Sequence, residues 1–210
     1  METITRFKEL LLLQLKEYGF GKKKNNLFTR TVNDCVQHIS VLETKVRGKN
    51  EVHISVSVGF TYEIVNKTIS FLQCGQYDNK WATANINLST LINSNKVYGF
   101  FINDETDANT VSENIVGNIK EYAFAFLNDF DDMDKFYQKL YARDSLVRMS
   151  TFALKRPEWN LLALSIILHK EVYEEILNDY LEDFVKNKYI IEEVKNRIKS
   201  YNVVEESVLL

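Results

Sequence analysis

Apolar residues recur at three- and four-residue steps at the start of this chain. Ile4, Phe7, Leu11, Leu15 and Tyr18 fall on one face of a helix predicted over residues 3–18. Thr3 is placed to cap its start and Gly19 to end it. The period then changes to two. Leu27–Val32 reads as a short strand and Val36–Val46 as a longer one, with Asn33-Asp34 as the turn between them. After Gly48-Lys49-Asn50, the residues Val52, Ile54, Val56, Val58 and Phe60 alternate with His53, Ser55, Ser57 and Gly59. That pattern predicts a strand with one buried face and one small, polar face. Further strands are expected at Thr68–Cys74, Ala82–Asn87 and Val97–Ile102.

From about residue 104 the helical period returns. Ile115, Ile119, Tyr122, Phe126 and Phe130 predict a helix over 108–128, and a second helix follows at Asp131–Tyr141. Pro157 suits the first turn of another helix, because its missing N–H is needed least there. That helix carries Trp159, Leu162, Ile166 and Ile167. Two more are expected at about 171–186 and 187–201. Strands followed by a run of helices make the fold class α+β. We expect an N-terminal helix, a curved antiparallel meander, and an all-helical C-terminal part packed on it. The domains expected are 1–145 and a helical extension at 146–205, with 206–210 as a disordered tail.

Composition narrows the function classes. The chain has 210 residues with only one Pro and seven Gly, which argues against long linkers. A net charge of −3 gives no global reason to expect nucleic acid. The charge is uneven, however. Residues 1–50 hold ten Lys/Arg against five Asp/Glu, and residues 101–135 hold nine acids against Lys120 and Lys135. No apolar run approaches the ~18 residues of a membrane span, and no secretory leader is visible. A cytoplasmic protein with no membrane partner is expected.

The order of features resembles a bacterial family, domain of unknown function 4304. The likeness is carried by the helix ending in Tyr18-Gly19-Phe20, then Lys22-Lys23-Lys24, then Phe28 and Arg30 on the first strand. It continues through the alternating strand ending in Val58-Gly59-Phe60, then Trp81, then the helix from Ile115 to Leu127 and on to Phe130, Asp131 and Asp132. It covers about residues 3–145. The family's late helix ends in Pro-Phe-Leu, whereas this chain has Phe124-Ala125-Phe126-Leu127. The resemblance implies a sheet with helices packed against it, and it implies no activity.

Candidate chemistry is sparse. The stretch 19–30, GFGKKKNNLFTR, joins the first helix to the sheet. A phosphate cradle would need glycine-rich backbone at a helix N-terminus, and here the glycines follow a helix C-terminus. We read the lysines as a wet turn, with Phe20 and Phe28 as anchors. The histidines, His38, His53 and His169, and the cysteines, Cys35 and Cys74, show no zinc spacing. Cys35 and His38 differ by an odd offset on a strand, so they face opposite ways. The acids Asp129, Asp131, Asp132 and Asp134 suit a helix start better than a catalytic pair. No catalytic, metal or cofactor residue is assigned.

The small face of Ser55, Ser57 and Gly59 suits a floor for a helix, with a ligand groove as its rival. The candidate interaction residues are Lys22, Lys23, Lys24, Arg30, His53, Ser55 and Ser57. The leading expectation is a non-enzymatic protein that binds a protein partner, of the immunity or antitoxin kind. An enzyme or ligand binder using the sheet is the first alternative. A weak nucleic-acid binder is the second, and it needs Lys22–Lys24, Arg30, Lys45, Arg47 and Lys49 on one continuous face.

Overall fold

The computed structural model describes residues 2–24, 26–73, 82–92, 100–103, 105–152, 157–171, 175–177 and 192–201. Cys74, Trp81, the tail 206–210 and most of the helix expected at 171–186 lie outside the described residues. The elements run in the order α1 (Glu2–Lys16), β1 (Gly21–Lys24), β2 (Leu27–Val32), β3 (Cys35–Lys45), β4 (Val52–Tyr62) and α2 (Glu63–Leu72). Then come β5 (Ala84–Asn87), α3 (Leu88–Leu91), β6 (Phe100–Ile102) and α4 (Ala108–Asn118). A π-helical turn (Ile119–Ala123) leads into α5 (Phe124–Asp129), and α6 (Met133–Tyr141), α7 (Ser145–Phe152) and α8 (Pro157–Ile167) follow. Residues 192–201 are helical.

The fold is α+β, with a six-stranded antiparallel sheet. Its path is β1-β2-β3-β4-β5, and β6 also pairs with β4. Where the sequence reading puts one division near residue 145, the chain forms two compact units, each of two segments. The first comprises 1–61 and 84–132, the second 62–83 and 133–210.

In the first unit the alternation seen in the sequence sets the burial. Phe28 of β2 lies opposite Ile39 of β3, and Val58 of β4 lies opposite Ile86 of β5. These residues share the inner face with Val41, Ile54, Val56 and Phe60, all buried. Helix α1 contributes Phe7, Leu11 and Leu15 to the same core. Its end is a Schellman turn. Gly19 sits at φ +80°, Gly19 N–H donates to Lys16 O, and Phe20 N–H donates to Leu15 O.

The helix expected at 108–128 is present but carries the π-turn. Its buried positions Ile115, Ile119, Ala123 and Leu127 recur every four residues. In an ideal α-helix each such step drifts by about 40°. The wider turn takes up that drift and keeps one stripe on the sheet. Phe126 and Phe130 of this stripe then meet Phe60, with ring centroids 6.2 Å and 5.3 Å away.

In the second unit α8 is the hub, and α2, α6 and α7 pack on it. Leu161, Leu162, Ala163 and Leu164 are buried consecutively, so this helix is apolar all round. A buried polar network ties it to the chain before β5. Asn160 Nδ2 donates to Thr83 O at 3.3 Å, and Thr83 Oγ1 accepts from Tyr62 N–H at 2.8 Å. Asp144 caps α7 by accepting from the N–H groups of Leu146 and Val147. Arg197 Nη1 donates to Leu72 O, satisfying a carbonyl at the end of α2.

Two sequence expectations change. The segment 68–74 was expected as a strand, but Thr68 to Leu72 belong to α2. Its β-type residues, Thr68, Ile69 and Phe71, favour a strand locally. Burial of Val65, Ile69 and Leu72 at helical spacing outweighs that preference. The lysine triplet was expected as a turn, but it is β1, paired with β2. The turn is completed earlier, at Gly19.

The anchors are where the sequence put them: Phe20 and Phe28 are each 1% exposed. Phe28→Ala is expected to cost about 3–5 kcal/mol in urea unfolding. Replacing Lys22, Lys23 and Lys24 together by Ser is expected to change stability by no more than ~0.5 kcal/mol. Gly59 is a tighter constraint, because a Cβ there would overlap both Ala84 O and the His38 ring. Gly59→Ala should therefore cost about 1–3 kcal/mol, read by the same unfolding curve.

Candidate functional site

The candidate residues divide into an internal clamp, a polar sheet face and a basic rim. Arg30 belongs to the clamp. Its guanidinium carbon lies 4.7 Å from the Phe20 ring centroid and 5.1 Å from that of Phe124. Nη1 donates to Tyr18 O at 3.0 Å and Nε donates to Gln37 Oε1 at 2.8 Å. Gln37, fully buried, passes the chain on through Nε2 to Leu127 O at 3.0 Å. Burial lowers the Arg30 pKa. Such an arginine joins the turn after α1 to β2, β3 and α5, with Nε and Nη1 turned inward. Gln37 was not singled out in the sequence, Phe124 entered only where the chain departs from the family motif, and nothing in their spacing marks either as a partner of Arg30.

The polar face carries His38, Ser40, Ser55, Ser57 and Gly59, the last being the only one fully buried. Ser40 and Ser57 share a hydrogen bond of 2.7 Å across β3 and β4. His38 lies over Gly59, in the space that a side chain would otherwise fill. Burial, opposed in part by a hydrogen bond with Asn85 and reinforced by the Lys23 charge, pushes the His38 pKa down to about 4. The His53 ring lies 5.1 Å from that of Phe101, which is exposed, tilted by 45°, and its Nε2 makes no hydrogen bond. His53 and His38 do not converge on a carboxylate. Cys35 faces the opposite side, buried, with Sγ toward Phe130 O, as its odd offset from His38 required.

The basic rim comprises β1 and the β3–β4 hairpin. Lys22, Lys23 and Lys24 are all exposed on the edge strand, and the register slips between Lys22 and Lys24. Lysines and a bulge on an edge are a known defence against unwanted strand pairing. Lys45, Arg47 and Lys49 project from the hairpin. They line a cleft of about 440 Å³ with Thr3 and Ile4 of α1. Lys49 pairs with Glu51 at 3.7 Å. Lys22, Lys23, Lys24, Lys45 and Arg47 make no ion pair among the described residues. A second groove, of about 430 Å³, runs between α1 and the sheet past Thr5, Lys8, Leu12, Phe28 and Leu42.

No described helix is long and apolar enough to cross a membrane. Among the described residues no group of three His, Cys, Asp or Glu side chains is placed to hold a metal ion. No protein-family model, no curated protein and no solved structure matches this chain.

Titration of His38 gives a test of this geometry. Between pH 6.5 and about 4 the unfolded chain binds a proton at His38 that the folded chain excludes. The contribution is complete above pH 6.5, declines as pH falls towards 4, and is flat below. We expect a loss of about 3 kcal/mol over that window, read by urea unfolding at stepped pH. His38→Gln should remove this part of the pH dependence, and NMR of the His38 ring should show a midpoint near 4.

Proposed function

We propose that this chain is a non-enzymatic protein-interaction module that binds an acidic protein partner, in an immunity or antitoxin-like role in the cytoplasm. The single observation that carries this reading is the basic rim. Elsewhere in the chain Lys8, Lys67, Arg148, Lys170 and Arg197 each meet a carboxylate. Five of the six rim cations do not, and unlike Arg6, Lys16 and Lys199, which also make no ion pair among the described residues, they cluster on a paired strand and a hairpin that hold them outward. Charge left uncompensated on a fixed scaffold favours a partner of opposite charge, and it acts mainly on selectivity and association rate. The likeness to domain of unknown function 4304 adds a fold to this reading and no activity.

Nucleic acid suits the rim less well. The continuous face it would need includes Arg30, which is turned inward, and Lys49, which is partly neutralised by Glu51. A small-molecule site on the polar face is favoured by one observation, the lowered pKa of His38. Ser40 and Ser57 there are spent on each other.

The proposal is tested by recovering partners of the tagged protein from its host lysate at low salt, with and without nuclease. The purified partner is then titrated against the wild type and against a Lys22→Glu, Lys23→Glu, Lys24→Glu variant. We expect an acidic protein that survives nuclease and binds the variant at least about tenfold more weakly. Recovery of material that vanishes with nuclease, or equal binding by the variant, would reject the proposal.

A further inference from the structure

Strand β3 outruns its neighbour. It extends to Lys45, but β2 pairs with it only from Leu27 opposite Ser40 to Val32 opposite Cys35. The last backbone bond on that side runs from Val41 N–H to Asn26 O. On the other side β3 continues along β4, and Val46 N–H donating to Glu51 O closes the hairpin. Alternation therefore turns the N–H and C=O groups of Glu43 and Lys45 to the side that β2 has left. Among the described residues no backbone group pairs with them. The other edges are short or defended: β1 carries three lysines and a bulge, while β5 and β6 have four and three residues. The step at Leu42–Lys45 ends an eleven-residue strand, carries one lysine and has no register shift beside β2.

This step opens into the groove beside α1. Leu12 and Phe28 form its apolar side. Leu42 stands on the opposite face of β3 and is 64% exposed. Asn26 Oδ1, where β2 ends, is sealed from solvent and has no hydrogen-bond partner. Lys8 is neutralised by Glu43; Glu9 and Lys22 also line the groove, and Lys22 and, at the end of β3, Lys45 make no ion pair among the described residues. An extended chain laid here would continue the line of β2. Its backbone would take the open groups of Glu43 and Lys45, and its alternate side chains would point to Leu12 or outward among the lysines.

We propose that the Leu42–Lys45 edge of β3 is a strand-addition site for an extended, acidic segment of the partner protein, with apolar residues alternating with Asp or Glu. This rests on the acidic-partner reading and specifies how that partner docks. Main-chain pairing would supply the affinity and the groove would supply the choice of side chains. Four residues of β3 span about 13 Å, so the core of the segment is short.

The test uses the full chain and a displayed pool of eight-residue segments with Asp or Glu at every second position and Val, Ile, Thr or Tyr between. The strongest binder is then made in three forms: unmodified, and N-methylated on alternate residues in each of the two registers. We expect one methylated register to bind about tenfold more weakly and the other to bind nearly as well, since only one presents N–H groups to β3. Amide exchange at Glu43 and Lys45 should slow in the complex. Glu43→Pro, which removes an N–H not used within the fold, should weaken binding comparably. Equal binding by both methylated forms would overturn strand addition and leave the acidic-partner reading standing. No enrichment over a pool with Lys and Arg in place of the acids would overturn both. A concentration-dependent dimer that protects Glu43 without peptide would overturn the proposed occupant in favour of a second copy.

Discussion

One half-buried cation joins several elements of the first unit. Arg30 stands between two aromatic rings and binds the carbonyl of Tyr18, in the turn after α1, and the side chain of Gln37. Gln37 in turn binds Leu127 O in α5. A guanidinium is costly to bury unless its donors are satisfied and its faces covered. Here Nε and Nη1 are bound by Gln37 and Tyr18 and the faces lie against Phe20 and Phe124, so the half of the group that is buried is supported. If any of these shifts, the arginine loses a partner inside the protein. The clamp therefore fixes where the helices cross the sheet, which apolar contact alone would leave loosely specified.

The chain's second unit is built around α8 and gathers α2 from a distant part of the sequence. Thr83 links the two, receiving hydrogen bonds from Tyr62 and Asn160 at opposite ends of that separation. The consequence for β5 is that it returns to the sheet after an excursion through helix. Its pairing with β4, from Ser57–Asn87 to Phe60–Ala84, is non-local although the two strands are sequential. Gly59 makes this return possible, since Ala84 O and the His38 ring both occupy the volume of a side chain there.

Charge and edge geometry act together in the first unit. The lysines of β1 protect the outermost strand from indiscriminate pairing, and they also leave positive charge along the sheet near the step in β3. The same residues thus discourage one kind of contact and favour another. A sheet edge surrounded by cations selects among extended chains by their charge, whereas a neutral apolar edge would accept many.

Periodicity was enough to place α1, β2, β3, β4, the helix from Ala108 to Asp129, α6 and α8, though not α7, because half-buried strands and amphipathic helices repeat their burial every two or every 3.6 residues. It also placed Phe20, Phe28 and the alternation of Val52–Phe60, and it separated Cys35 from His38. These are local facts, and the sequence by itself determined them. Tertiary structure decided the rest. Residues 68–72 are helical because Val65, Ile69 and Leu72 find a core, against their local preference. The lysines form a strand because β2 offers an edge to pair with. Arg30 turns inward, and His38 stays neutral well below its ordinary pKa, because residues far away in the chain close around them. Solvation and pairing are properties of what surrounds a group, and a linear sequence does not list its neighbours in space.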